Sequence, residues 1–180
     1  MNEFKIEQPT KFDQRESYIF LKDFLMNGVS DIGDLRKYTG DYEGWLEKLE
    51  RESRGVIKDK IPTITYFVKR DEEIIGLAFI KPVNPELVRE IGNIGLAIKP
   101  KERGKGYSND ILLELLKECK NLGLEEVMLT CDSKNIPSYK SILDNTGILK
   151  DEIKSTYSNH LQRYMINVEQ AIENKQEKNR

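Results

Sequence analysis

The sequence predicts a mixed α+β fold around one twisted sheet, on three observations. Apolar residues before residue 60 recur with near-helical spacing, the period switches to β-rich runs from residue 63, and a long amphipathic stretch at 108–122 sits between two further β-rich runs. Tyr18, Ile19, Leu21, Phe24 and Leu25 predict a helix over 12–26, ended by Asn27-Gly28. Residues 29–40 are glycine-bearing and read as a loop. Asp41 is placed to cap a second helix over 42–51, with Trp45, Leu46 and Leu49 on one face.

Thr63 to Val68 and Ile74 to Ile80, joined by a charged turn, predict an antiparallel hairpin. Residues 90–98 read as a strand. The helix over 108–122 carries Leu112, Leu115, Leu116 and Cys119 on one stripe and stops at Gly123. A strand over 126–131, a short helix over 137–145 and a closing hairpin of 152–157 with 161–168 complete the order. Residues 169–180 are charged and read as a solvated tail, which leaves 1–168 as a single domain.

Composition narrows the function. With 180 residues, 38% hydrophobic and 33% charged, the chain suits one soluble domain. It has no apolar run of about 18 residues and no signal-like N-terminus, so a cytoplasmic protein without a membrane partner is expected. A net charge of −2 lacks the broad positive field that nucleic-acid binding needs. Two cysteines and one histidine, His160, exclude a zinc cage or a multi-histidine site, so no metal is expected. Cys119 and Cys131 read as buried thiols, and His160 as a turn residue.

The informative stretch runs from Ile94 to Ser108: a strand, a basic loop with Gly104 and Gly106, then the strongest helix. The first turn of a helix leaves backbone N–H groups unpaired at the positive end of the macrodipole. Glycines let backbone close around an anion there, and Arg103 and Lys105 add charge. Ser108 is a suitable N-cap, and a diphosphate-bearing ligand fits. A tight βα turn with solvated charges is the other reading of the same spacing. The loop is neither a P-loop, since no Ser or Thr follows Gly-Lys, nor a Rossmann fingerprint, since the third glycine is missing.

Arg103-x-x-Gly106-x-Ser108 resembles the pyrophosphate loop of the GNAT (Gcn5-related) N-acetyltransferases, with Ser in place of the usual final Gly or Ala. Thr130-Cys131-Asp132, Asn135-x-x-Ser138 and Asn145-Thr146-Gly147 continue the resemblance, which is strongest to a bacterial branch of predicted acetyltransferases. It implies the GNAT fold, with a central sheet whose middle strands splay apart, and acetyl-CoA as cosubstrate. Leu96, Ala97 and Ile98 would bond the pantetheine arm through backbone, and Arg103, Gly104, Lys105, Gly106, Tyr107 and Ser108 would hold the pyrophosphate. Asn135 and Ser138 would lie near the thioester end.

The implied reaction is direct attack of a neutral primary amine, of a small molecule or peptide, on the thioester. It calls for a base, an oxyanion donor and an acid for the leaving thiolate. The family's usual acid, a tyrosine seven residues after the helix-start Asn, falls on Ile142 here. Glu90, Asn93 and Tyr139 are the catalytic candidates. A GNAT-shaped module that binds CoA without efficient turnover is the alternative, and monomer and homodimer are equally open. Trp45 reads as core or as acceptor pocket together with Tyr38 and Tyr42. Of Tyr66 and Phe67, one is expected in the core and the other on the opposite face of the strand.

Overall fold

The computed structural model describes residues 4–28, 35–38, 40–156 and 158–178. The chain divides into two compact units, Met1–Phe79 with Leu96–Gly106, and Ile80–Gly95 with Tyr107–Arg180.

The first unit holds β1 (Lys5–Glu7), α1 (Gln14–Met26), α2 (Tyr42–Ser53), β2 (Ile64–Arg70) and most of β3 (Glu73–Ile80) and β4 (Ile94–Ile98). Its sheet runs β1-β2-β3-β4. β2 and β3 meet at a two-residue turn in which Asp71 and Glu72 both take positive φ, 49° and 66°. That conformation matches the twist of the paired strands; aspartate is common at the first of the two positions, whereas Glu72 stands where glycine is usual. Asp41 caps α2 as the sequence predicts, accepting a hydrogen bond from Gly44 N–H at 3.0 Å.

The core of this unit is aromatic. Phe20, Phe24, Tyr42, Trp45 and Phe67 are buried together with Leu21, Leu35 and Ile74. Trp45 lies 5.8 Å from Phe67 and 5.5 Å from Tyr42, centroid to centroid. Trp45 is therefore core, and Tyr66 is buried as well as Phe67, so neither of that pair faces solvent. The Tyr38 side chain and most of the expected 29–40 loop lie outside the described residues.

The second unit holds α3 (Tyr107–Asn121), β5 (Glu126–Asp132), α4 (Ile136–Asp144), β6 (Ile148–Ile153), β7 (Leu161–Asn167) and α5 (Val168–Lys178). Its antiparallel sheet runs β5-β7-β6, with Leu129 opposite Tyr164 and a register shift between Leu149 and Asp151. α3 buries the expected stripe of Leu112, Leu115, Leu116 and Cys119 and packs against α4 and α5.

Several boundaries differ from expectation. The ladders form two sheets rather than one. The strand predicted over 90–98 starts only at Ile94, because Pro85–Val88 wind into a 3-10 turn capped by Asn84 and Gly92 turns with φ 75°. β6 begins at Ile148, four residues before the predicted hairpin. Ile148 and Leu149 stay exposed on this edge strand and break the expected alternation, and Tyr157 lies outside the described residues. The tail is a helix: Val168, Ala171 and Ile172 recur at helical spacing and are buried, a signal outnumbered by surrounding charges. β1 escaped the sequence reading, since three residues with one apolar side chain carry no period.

An ion pair ties the start of α1 to the sheet. Asp13, buried, accepts from Thr10 N–H and Oγ1, both at 2.8 Å, and lies 2.7 Å from Lys69 Nζ. Burial pushes its carboxyl up, but the hydrogen bonds from Lys69 and Thr10 outweigh that and hold it below its ordinary 3.8. A folded-state value below the unfolded one gives stability that is present above the unfolded value and lost as pH falls through the folded one. Asp13→Asn should therefore lower stability near neutrality by about 2 kcal/mol and flatten the loss below pH 3.8, as urea titrations at a series of pH values would read.

Candidate functional site

Two features of the first unit converge on one short stretch. The first is the edge of β4. Lys99 N–H donates to Ile75 O at 2.8 Å and Lys81 N–H to Asn93 O at 2.7 Å. In the antiparallel register these bonds define, the backbone groups of Ala97 face β3, while those of Leu96 and Ile98 face the other way. Of the three strand residues expected to offer backbone bonds, two present theirs at the edge. A strand edge of this kind pairs with an added extended chain.

The second feature is the loop that follows. Pro100–Glu102 form a 3-10 turn, and Gly104 and Gly106 then take φ of 75° and 80°. A Cβ built on either glycine meets no heavy atom within 4 Å, so the backbone is open on that side. The helix starts at Tyr107, one residue earlier than expected. Ser108 thus lies within the first turn rather than capping it, because Gly106 already makes the turn into the helix. Left-handed glycines beside open space suit the close approach of an anion.

The loop's lysines are already matched. Lys99 is buried and its ammonium contacts the Glu73 carboxylate. Lys101 lies 3.1 Å from Asp23 Oδ1, and Lys105 lies 2.8 Å from Glu102 Oε1, with Arg70 3.5 Å from the other Glu102 oxygen. Arg103 differs. Its Nε donates to Ile98 O at 2.8 Å and its guanidinium sits 5.7 Å from the Phe24 ring centroid, a cation–π arrangement. Arg103 thus contributes a forked donor fixed at its base, whereas the lysine charges are largely cancelled by carboxylates. Asp23, Glu73 and Glu102 went unnoticed in the sequence; a carboxylate inside the apolar run of 19–26 was the one available signal.

The remaining predicted residues lie in the second unit. Glu90 is exposed in a turn rather than at a strand start. Asn93 is fully buried, and its side chain is spent on backbone: Nδ2 donates to Lys81 O and Val83 O, both at 2.9 Å, and Oδ1 accepts from Met128 N–H at 2.8 Å. Its amide is a clasp in the framework. Asn135 is the N-cap of α4 and accepts from Ser138 N–H at 3.4 Å, so the Asn-x-x-Ser spacing has a local capping role. Tyr139 is half-buried, 6.2 Å from Tyr164 between centroids, and its hydroxyl bonds to no described residue. Ile142, at the position of the family's usual tyrosine, is buried. Both cysteines are free and buried, and burial pushes the Cys119 thiol up to about 12. Among the described residues no group of three or more His, Cys, Asp or Glu could hold a metal ion.

Residues 34–141 match the acetyltransferase (GNAT) family. No curated protein matches the sequence. The fold is similar to that of Mycobacterium smegmatis RimJ in complex with CoA-disulfide, at 16% identity and a TM-score of 0.69, covering 93% of this chain and 83% of that one. It is also similar to the Vibrio cholerae spermidine/spermine N-acetyltransferase SpeG, at 15% identity and a TM-score of 0.63, covering 96% and 98%. Campylobacter jejuni N-acetyltransferase PseH in complex with acetyl coenzyme A is similar at 16% identity and a TM-score of 0.61, covering 92% and 99%.

The clasp role of Asn93 has a measurable consequence. Asn93→Ala would leave two carbonyls and one N–H without their side-chain partner in a buried place. It should cost about 3 kcal/mol of stability, read by urea denaturation.

Proposed function

This chain belongs to the GNAT family of acetyltransferases, and from that premise we propose that it transfers the acetyl group of acetyl-CoA to a primary amine of a small molecule or peptide. The observation that carries the reading is the run of β4 edge, left-handed glycines and helix start between Leu96 and Ser108. The edge N–H and C=O of Leu96 and the N–H of Ile98, whose oxygen already accepts from Arg103, suit an extended amide-bearing arm, which would add to the sheet as a further strand. The Arg103–Gly106 backbone and the Arg103 fork suit a diphosphate. Three solved structures of similar fold bear on the chemistry: RimJ holds CoA-disulfide, PseH holds acetyl coenzyme A, and SpeG is a spermidine/spermine N-acetyltransferase.

Acetyl-CoA supplies an activated acyl carbon. The protein's part is to hold the arm in one extended path and to bring a neutral amine to it, and positioning alone accelerates such transfers substantially. Tyr139 is the proposed proton source for the leaving thiolate, since its hydroxyl is uncommitted among the described residues and Ile142 has no proton to give. The buried Ile142 also favours a second reading, binding of CoA without efficient turnover.

Calorimetric titration with CoA tests the first claim. The wild-type protein should bind, and Gly106→Val should weaken binding by about tenfold or more, since a β-branched residue resists positive φ and fills the open side. Unchanged affinity with an intact far-ultraviolet spectrum would remove the loop from the site. Release of CoA thiol from acetyl-CoA in the presence of polyamines, amino acids or peptide N-termini separates the two readings. Turnover that falls in Tyr139→Phe supports transfer, and tight binding with no release supports the second reading.

A further inference from the structure

Asp23 breaks three local rules at once. It lies in the last turn of α1, where the macrodipole is negative and a carboxylate is disfavoured. Its side chain is only 4% exposed, and neither oxygen accepts a hydrogen bond from a described residue. Its ion contact is Lys101 Nζ at 3.1 Å, without hydrogen-bond geometry. Lys101, in contrast, is 73% exposed and solvated without help. The dependence is one-sided: the carboxylate needs the lysine, and the lysine does not need the carboxylate.

Lys101 belongs to the 3-10 turn that opens the glycine loop. α1 has no basic residue in its own last turn, and the loop supplies the missing cations: Lys101 on Asp23, and Arg103 over the ring of Phe24, the next residue. Consecutive side chains at the end of α1 therefore hold alternate residues of the loop. A local arrangement that costs stability and touches the candidate site is best explained by the site.

We infer that Asp23 is a positioning residue for the anion-binding loop, seating Lys101 on the end of α1 so that Arg103 to Gly106 keep one conformation. The inference rests on the cofactor grip proposed above. Calorimetric CoA affinity and thermal stability, measured on the same samples, test it. Asp23→Asn should leave the melting temperature unchanged or raise it, while weakening CoA binding by about fivefold or more and raising KM rather than lowering kcat. Lys101→Met should weaken binding to the same extent but lower the melting temperature, because it strands the carboxylate. The double variant should bind no more weakly than either single one and recover the lost melting temperature. Lys101→Arg should behave as wild type.

Asp23→Asn binding CoA within twofold of wild type overturns the inference alone, as does a fall in its melting temperature that parallels the loss of affinity. Failure of the wild-type protein to bind CoA overturns the cofactor grip, and this inference with it.

Discussion

No described strand pairs with the outer edge of β4, and a strand edge offers donors and acceptors that seek partners, so the proposed function rests on this edge. The register set by Lys99 to Ile75 and Lys81 to Asn93 leaves Leu96 and Ile98 facing away from the sheet. Natural proteins usually blunt such an edge with a charge, a proline or a covering segment. Here Pro100 follows directly, and Arg103 reaches back to Ile98 O. The edge is thus short, ends abruptly, and passes within a few residues into the glycine loop. In the proposed function the same few residues would carry both the strand-like and the anion-like half of the ligand.

The rest of the first unit holds that stretch steady. The aromatic cluster of Phe20, Phe24, Trp45 and Phe67 packs α1 and α2 onto the sheet, with Ala97 of β4 packed against it. Buried rings of this size contribute strongly to a small core, and their tilted contacts restrict how the helix can sit. α1 ends at the loop and not elsewhere, and its last turn becomes part of the surroundings of Lys101 and Arg103. In the second unit Asn93 has the corresponding task. A single amide joins the backbone of Lys81 and Val83 to that of Met128, fixing the chain just before β4 begins.

Most of the architecture was legible in the sequence because it follows from period. The stripe of α3, the β-rich runs of β2 and β3, the Asp41 cap and the glycine loop each announce themselves in adjacent residues. What was not legible depends on contacts distant in sequence. Glu90 looked like a strand residue until the Pro85–Val88 turn moved the strand start to Ile94. Asn93 read as a polar group in a cleft, and only the pairing with Met128 reveals its structural use. Lysines around the loop looked like free charge, yet their carboxylate partners come from α1, from β3 and from within the loop itself. Residue type and spacing indicate which groups are available, and tertiary structure decides which of them are already engaged.

The lone tryptophan and the two cysteines are distributed unevenly. Trp45 is buried in the first unit, while Cys119 in α3 and Cys131 in β5 are buried in the second. Indole emission therefore watches one unit, and thiol accessibility to an alkylating reagent watches the other. The protein carries, without any labelling, a separate spectroscopic and chemical gauge for each half of its chain. Denaturation followed by both would reveal directly whether the halves melt as one cooperative body or in succession.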